Sequence, residues 1–426
     1  MPDFVELLFT PLVGGLKCVE VSGDEYEKAT LSGKGIDGSS VRLAPIERSD
    51  LLLRPVEDSY FKVPEEDASG KALCDIYAPA ERVEDFGKEK EYHLSPRTIL
   101  KKVLRAREEE LGCRFVASFE MEFFLLKDGE FLDRAGYFAP QPRDRSIDLR
   151  HEILRNIGKA GVAWTYTHHE VSTGQYEVCL HHELALKMAD NATKFRYIAK
   201  NTAHRRGLNL TFMPKLFPEI NGSGMHIHMS LMKEKDNLFY GGDTERISPL
   251  ATHFVGGILQ HAEALAALLA SSVNSYKRLV PGYEAPINLT WGHMNRSALI
   301  RVPTFNDAGA ARLEIRAPDP LTNPYLALAA LLAAGFHGIQ EEIDPGNPCS
   351  VNTYVDGEYE TLPSDLGEAL EALSQDTVLK EALGREAVER YRRMKMAEWE
   401  EYREAHEVWD PSSITQWERD RYLDFF

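Results

Sequence analysis

Glu120 and Glu122 lie in a run, Arg114 to Leu126, whose alternation is that of a β-strand. Ser118, Glu120, Glu122 and Phe124 therefore share one side, and Phe119, Met121 and Phe123 the other. Two carboxylates ~7 Å apart on one strand face repel each other unless water or a cation compensates them. A second acidic pair lies in Thr167-His168-His169-Glu170-Val171-Ser172-Thr173-Gly174-Gln175-Tyr176-Glu177. Ser-Thr-Gly makes a turn there, so Glu170 and Glu177 project from neighbouring extended arms into one space. The stretch Asn221-Gly-Ser-Gly-Met-His-Ile-His-Met-Ser-Leu231 adds two glycines that permit close approach to a ligand. Past Met225 it alternates, placing His226, His228 and Ser230 on one strand face. Arg312-Leu313-Glu314-Ile315-Arg316 alternates as well, with Glu314 on the face of both arginines. Taken singly, each stretch has a plain structural reading as a solvated face, a hydrogen-bonded histidine or an ion-paired strand.

Together, Glu120, Glu122, Glu170, Glu177, Glu314 and His226 form a mainly carboxylate set. Hard divalent cations, magnesium or manganese, suit it better than zinc does. Arg278, Arg296 and Arg301 fall in the arginine-, glycine- and proline-rich segment Asn274 to Pro303, and forked guanidinium donors match carboxylate and phosphate oxygens. Carboxylate-bound metals with arginines point to phosphoryl transfer. No Walker-type or Gly-x-Gly-x-x-Gly motif follows a strand, which disfavours the P-loop and Rossmann solutions.

These groups need a scaffold, and the 426 residues allow two domains. Residues 1–90 read as short strands and turns: Phe4 to Thr10, Lys17 to Val21, a turn, then the exposed loop Gly35-Ile36-Asp37-Gly38-Ser39-Ser40. The charged stretch Glu81 to Glu91 reads as a linker, and Ser95-Pro96 opens a helix ending at Gly112. Residues 91–426 then form the larger unit. It has helices over Glu183 to Arg206, from Ser248-Pro249 through Val273, from Asn323-Pro324 to Glu342, and in pieces from Ser364 with a break at Asp410-Pro411. His181 and His182 read as capping or surface groups. The apolar segment Leu250 to Val273 carries His253, Gln260, His261 and Glu263, so it is a buried helix and not a membrane span. A net charge of -18 argues against nucleic-acid partners and acidic membranes. Five scattered cysteines without a CxxC pair fit reduced thiols, and with no basic-then-apolar leader the expected location is the cytoplasm.

In type, order and spacing the chain resembles class I glutamine synthetases of the archaeal and Gram-positive branch. The resemblance rests on Asp37-Gly-Ser-Ser, Glu120-Met-Glu122-Phe-Phe, His168-His-Glu170 to Glu177, Asn221 to Leu231, Lys277-Arg-Leu-Val-Pro-Gly-Tyr-Glu284-Ala-Pro, Asn295-Arg296-Ser-Ala-Leu-Ile-Arg301-Val-Pro and Glu314-Ile-Arg316-Ala-Pro-Asp-Pro. It implies an α+β fold with a small N-terminal β-grasp-like domain and a C-terminal catalytic domain, whose curved antiparallel sheet is flanked by helices. It also implies a homododecamer of two hexameric rings, with active sites between subunits.

By the same resemblance, Glu122, Glu170 and Glu177 hold one metal, and Glu120, His226 and Glu314 hold a second that bridges ATP phosphates. Asn221, Gly222 and Arg278 meet substrate glutamate. Arg296, Arg301 and Arg316 neutralise the transferring phosphoryl group, while His168, His228 and Ser230 lie toward the nucleotide. Glu284 sits on a flap that shields a γ-glutamyl phosphate, and Asp37 and Ser40 from one subunit join Tyr137, Glu170 and Glu284 of the next around ammonium. The implied reaction joins ammonium to glutamate using ATP. Departures from the family pattern are Leu216, Met294 and Gly309, near the nucleotide, and Pro45, near a position tied to feedback control. The rival readings are a γ-glutamyl-amine ligase of the same fold, a non-catalytic regulatory relative and, more remotely, a phosphagen-kinase-like phosphotransferase.

Overall fold

The computed structural model describes residues 2–63, 69–80, 88–243 and 246–426. Its N-terminal sheet is built on β1 (Phe4–Phe9), which buries Val5, Leu7 and Leu8, and β2 (Lys17–Ser22) pairs with it antiparallel. Between β2 and β3 (Lys34–Asp37) the chain forms a helix, α1 (Gly23–Ser32), and not the expected turn. Ser22 caps it by accepting a hydrogen bond from Glu25 N, and Tyr26 and Ala29 anchor its inner face. Gly35-Ile36-Asp37, expected in a loop, belongs to β3, and only Gly38-Ser39-Ser40 is turn. With β4 (Asp50–Pro55), β5 (Phe61–Lys62) and β6 (Ser69–Tyr77), the strand order is β2-β1-β6-β4-β3, with β5 beside β6. The β1–β6 pair is parallel and crosses the middle of the sheet. Of the expected linker, residues 81–87 lie outside the described residues.

The helix α2 (Pro96–Leu111) ends where the sequence places it, at Gly112 in the left-handed conformation. From there β7 (Arg114–Lys127) runs as the long central strand of the second sheet, turning back through β8 (Glu130–Phe131). After α3 (Ile147–Lys159), the hairpin of β9 (Trp164–His169) and β10 (Gln175–Leu180) adds to one edge of β7. Glu183–Leu184 forms a short strand, β11, so α4 (Ala185–Arg205) begins two residues later than expected. Then come β12 (Asn209–Thr211), β13 (Met225–Lys233) and β14 (Asp236–Asn237). The expected single helix to Val273 is broken at His261 into α5 (Pro249–Gln260) and α6 (Ala262–Leu269). The short α7 (Ser275–Arg278) leads to β15 (Trp291–His293), β16 (Ile300–Val302) and β17 (Leu313–Ile315).

Among the described residues this sheet has the order β15-β16-β17-β13-β7-β10-β9, antiparallel except that β15 and β16 run parallel. Its back is closed by helix packing. Phe119, Met121 and Phe123 are fully buried, and the Phe123 ring lies 6.3 Å from Phe195 of α4. The core helix α8 (Pro324–Gln340) is capped by Asn323, and α9 (Leu366–Gln375), α10 (Thr377–Leu383), α11 (Arg385–Ala405) and α12 (Gln416–Tyr422) complete the chain.

Candidate active site

Strand register turns the alternation of single strands into a row across the sheet. Glu177 on β10 lies opposite His168 on β9 and Glu122 on β7, and Glu120 lies opposite His226 on β13. Next in the row, His228 faces Glu314 on β17, which faces Arg301 on β16. Because side chains two apart on a strand share a face, all of these project to the side away from α4. They line a cavity of about 1060 Å³ together with Tyr137, Glu170, Asn221, Gly222, Arg278, Glu284, Arg296 and Arg316.

Its carboxylates divide electrostatically. Glu314 is buried and Glu120 half-buried, which on its own would raise their pKa values, but neighbouring cations prevail. His228 and His226, 2.8 and 2.9 Å from the Glu120 oxygens, hold that carboxyl well below its ordinary range. Glu314, 1% exposed, accepts from Arg301 and Arg316 at 2.5 Å each, and its pKa falls to about 2. Across the cavity the balance reverses. Burial, reinforced by Glu170 and Glu177, pushes Glu122 well up, and burial with Glu120 raises Glu177 to about 7. Glu170 is raised too, chiefly by burial. On the side of Glu122, Glu170 and Glu177 the carboxyls therefore resist ionising.

Among the described residues three sets of ligand atoms converge within 4.8 Å: Glu120, His226 and Glu314; His168, Glu170 and Glu177; and Glu120, Glu177 and Cys179. At that separation two carboxylates repel by about 3 kcal/mol or more at an effective dielectric of about 20, which a cation would relieve. Carboxylate oxygens with at most one imidazole are donors for magnesium or manganese. The first set is the one the resemblance implies. The second brings His168 to the place expected of Glu122, whose Oε2 accepts from Gly224 N at 2.8 Å and Gln175 Nε2 at 3.1 Å.

The glycines of the Asn221–Gly224 turn are sterically required. A Cβ on Gly222 would stand 2.3 Å from Pro214 O and 2.8 Å from Arg278 Cγ, and one on Gly224 would stand 2.7 Å from an Arg278 guanidinium nitrogen. Arg278 is thus pressed against the turn, donating to Ala317 O and Arg316 O. Glu284, exposed and in the left-handed backbone region at φ 56°, accepts from Asn221 Nδ2 at 2.9 Å and closes one wall. Arg296 and Tyr137 are exposed at the cavity's margin.

Asp37 and Ser40 are not in this cavity but on the N-terminal domain. Hydrogen bonds from Ser39 and Ser40 hold the exposed Asp37 carboxyl down at about 2, so it is charged. Ser230 is buried on β13 outside the cavity lining. Arg312 does not pair with Glu314: it donates to Ala310 O and reaches His228 Nδ1, because β16 brings Arg301 to Glu314 instead. Residues that sequence reading passed over also line the cavity. Tyr166 donates to Glu120 Oε1 at 3.1 Å, and Tyr354 also lies in the wall. Tyr166 was detectable as the i−2 neighbour of His168 on one strand face.

Residues 93–422 match the profile of the glutamine synthetase catalytic domain, and residues 1–79 that of the glutamine synthetase β-grasp domain. The chain belongs to the glutamine synthetase family. Glutamine synthetase of Pyrococcus furiosus is 42% identical over 99% of this chain and 96% of its own length. Those of Halobacterium salinarum and Thermus thermophilus are 40% and 39% identical, over 100% and 99% of this chain and 94% and 95% of theirs. Two solved structures of GmaS, one without ligand and one in complex with ADP, superpose with a TM-score of 0.86 at 33% and 32% identity, covering 99% of this chain and 97% of each. The α+β fold with a β-grasp N-terminal domain, expected from the sequence, is that of the family. Among the described residues no helix is long and apolar enough to cross a membrane.

Proposed function

We propose that the chain is a glutamate–ammonia ligase, converting L-glutamate, ATP and ammonium into L-glutamine, ADP and phosphate. The observation that carries this reading is the single cavity in which carboxylates, paired arginines and a glycine turn converge. In the first step an oxygen of the glutamate γ-carboxylate attacks the γ-phosphorus of ATP, and the bond to the β,γ-bridging oxygen breaks to release ADP. In the second, ammonia attacks the acyl carbon and phosphate leaves.

Arg278 receives the α-carboxylate beside Asn221 and Gly222, where its guanidinium is already fixed by two carbonyls. Arg296, Arg301 and Arg316 face the phosphoryl group as charge builds on its oxygens, a role worth about 3 kcal/mol per donor. His168 and His228 stand toward the nucleotide, with Ser230 behind them. Ammonium is drawn to the carboxyl of Glu170, bounded by Tyr137, and gives up a proton to a carboxylate before it can attack. Glu284 and Asn221, hydrogen-bonded to each other, keep water from the acyl phosphate. Glu120, His226 and Glu314 would hold one magnesium or manganese ion, and Glu122, Glu170 and Glu177 another, for which Glu122 would leave Gly224 N and Gln175 Nε2. Such ions supply charge neutralisation and orientation of phosphate oxygens.

Residues 1–90 and 91–426 are the two domains of this reading. Asp37 and Ser40 would reach the ammonium pocket of a neighbouring subunit in a dodecamer of two hexameric rings, and the enzyme would work in the cytoplasm. Ammonium is preferred to a larger amine because relatives at about 40% identity are glutamine synthetases, whereas GmaS stands at 33%. The test is phosphate release by purified protein with magnesium: it should require glutamate, ammonium and ATP together and yield glutamine mole for mole. Release that ignores glutamate would overturn the reading.

A further inference from the structure

Arg278 and the Asn221–Gly222 turn come from segments 56 residues apart, yet both must hold one small substrate. Behind them lies a carboxylate that touches neither. Glu418, on α12 near the end of the chain, is fully buried, and its two oxygens serve the two segments separately. Oε2 accepts from Lys277 Nζ at 2.6 Å. Lys277 is itself fully buried, is the residue before Arg278, and also donates to Ser413 O at 2.6 Å and Tyr402 Oη at 2.9 Å. Oε1 accepts from Asn274 Nδ2 at 2.8 Å. The Asn274 amide then clasps the backbone of Lys215, donating to its O at 3.0 Å and accepting from its N at 2.7 Å. Lys215 Nζ continues to Ile220 O at 2.6 Å, one residue before Asn221, and lies 3.6 Å from the centre of the Tyr283 ring, one residue before Glu284.

We infer that Glu418 is a positioning residue for the glutamate-binding face, setting the distance between Arg278 and the Asn221–Gly222 turn through Lys277 on one oxygen and Asn274 and Lys215 on the other. Its geometry is held from its own helix. Thr415 N and Oγ1 donate to Oε2 at 2.9 Å each, and Glu418 N donates back to Thr415 Oγ1, a capping box that fixes the carboxylate as well as the helix start. The C-terminal helix thereby acts on substrate binding without reaching the cavity. A glutamine at this position keeps the shape but presents an amide donor to Lys277 or to Asn274, so one arm must give way.

This rests on the proposed placement of substrate glutamate at Arg278, and Arg278→Lys tests that placement separately. The experiment measures KM for glutamate, KM for ATP and kcat, with glutamate binding by calorimetry, for wild type, Glu418→Gln, Asn274→Ala, Arg278→Lys and Trp417→Phe. Glu418→Gln and Asn274→Ala should each raise the glutamate KM about tenfold while moving the ATP KM less than about twofold. Asn274→Ala leaves the Lys277–Glu418 pair in place, so it serves if Glu418→Gln fails to fold. Trp417→Phe loses the bond to Glu401 while keeping an aromatic ring against Tyr402 and Tyr422, and should lower thermal stability without altering the glutamate KM. The inference is overturned if folded Glu418→Gln or Asn274→Ala binds glutamate as wild type does, or if Trp417→Phe raises the glutamate KM equally. An unchanged glutamate KM in Arg278→Lys overturns the placement of glutamate and this inference with it.

Discussion

Replacing Glu314 by glutamine tests the electrostatic centre of the site. The carboxylate is 1% exposed, takes one hydrogen bond from Arg301 and one from Arg316, each at 2.5 Å, and lies 3.9 Å from His226 Nδ1. Removing one partner of a buried ion pair costs about 3–5 kcal/mol, because the remaining charge stays buried. Arg316 is buried but the Arg301 side chain is 16% exposed and can turn to water, so the lower end, about 3 kcal/mol of unfolding free energy, is expected. Under the proposed function two losses add at the site: a metal ligand, and the anchor that aims two guanidinium groups at the phosphoryl oxygens. A loss of about 3 kcal/mol in transition-state stabilisation lowers the rate by at least about 100-fold. The assays are denaturant unfolding, manganese titration by calorimetry, and phosphate release at saturating metal. Folded Glu314→Gln with manganese affinity unchanged and activity within about threefold of wild type would refute both the metal assignment and the role of the arginines.

Asp37→Ala should lose far more in ammonium use than in glutamate-dependent phosphorylation, so hydroxamate trapping of the acyl phosphate with hydroxylamine should survive while glutamine formation falls; equal losses would refute the role. In Gly222→Ala the added methyl meets Pro214 O at 2.3 Å, so the turn must open at a cost of about 1–3 kcal/mol, with a raised glutamate KM. Asp376 caps α10 and is 2.6 Å from His261; burial raises its pKa, but the hydrogen bonds from His261 and Leu379 N prevail and hold it down. A depressed carboxyl contributes stability that is complete above its unfolded pKa of about 3.9 and fades as pH falls through the folded one. The melting-temperature gap between wild type and Asp376→Asn should therefore hold near neutrality and shrink below about pH 4, and a gap that widens with acid would contradict the pairing. Tyr354 faces the cavity, and native protein should show no AMP on it by mass spectrometry; its detection would refute that expectation.

Much of this site was legible because alternation within a strand fixes which residues share a face. It placed Glu120 with Glu122 and His226 with His228, and proline after an N-cap marked the starts of α2, α5 and α8. What alternation cannot state is register between strands. The sequence puts Glu314 on the face of Arg312 and Arg316, and the pairing of β16 with β17 brings Arg301 to it in place of Arg312. The helix α1 was missed because its packing rests mainly on Tyr26 and Ala29, too sparse to mark a helical face. The break at His261 is tertiary in origin, since that ring is held between Asp376 and His337 from two other helices. Asp37 is legible as a charged carboxylate at the edge of a turn, and in this chain it lies outside the cavity.

The most direct test of the proposed ligase is a competition among amines. Purified protein with glutamate, ATP and magnesium is offered equal concentrations of ammonium, methylamine, ethanolamine and putrescine, and the γ-glutamyl products are separated and counted. Glutamine should dominate, since the charged pocket at Glu170 bounded by Tyr137 and Glu284 favours the smallest cation. A γ-glutamyl alkylamide in excess over glutamine would contradict the ammonia-ligase reading and make the chain an amine ligase of the same fold.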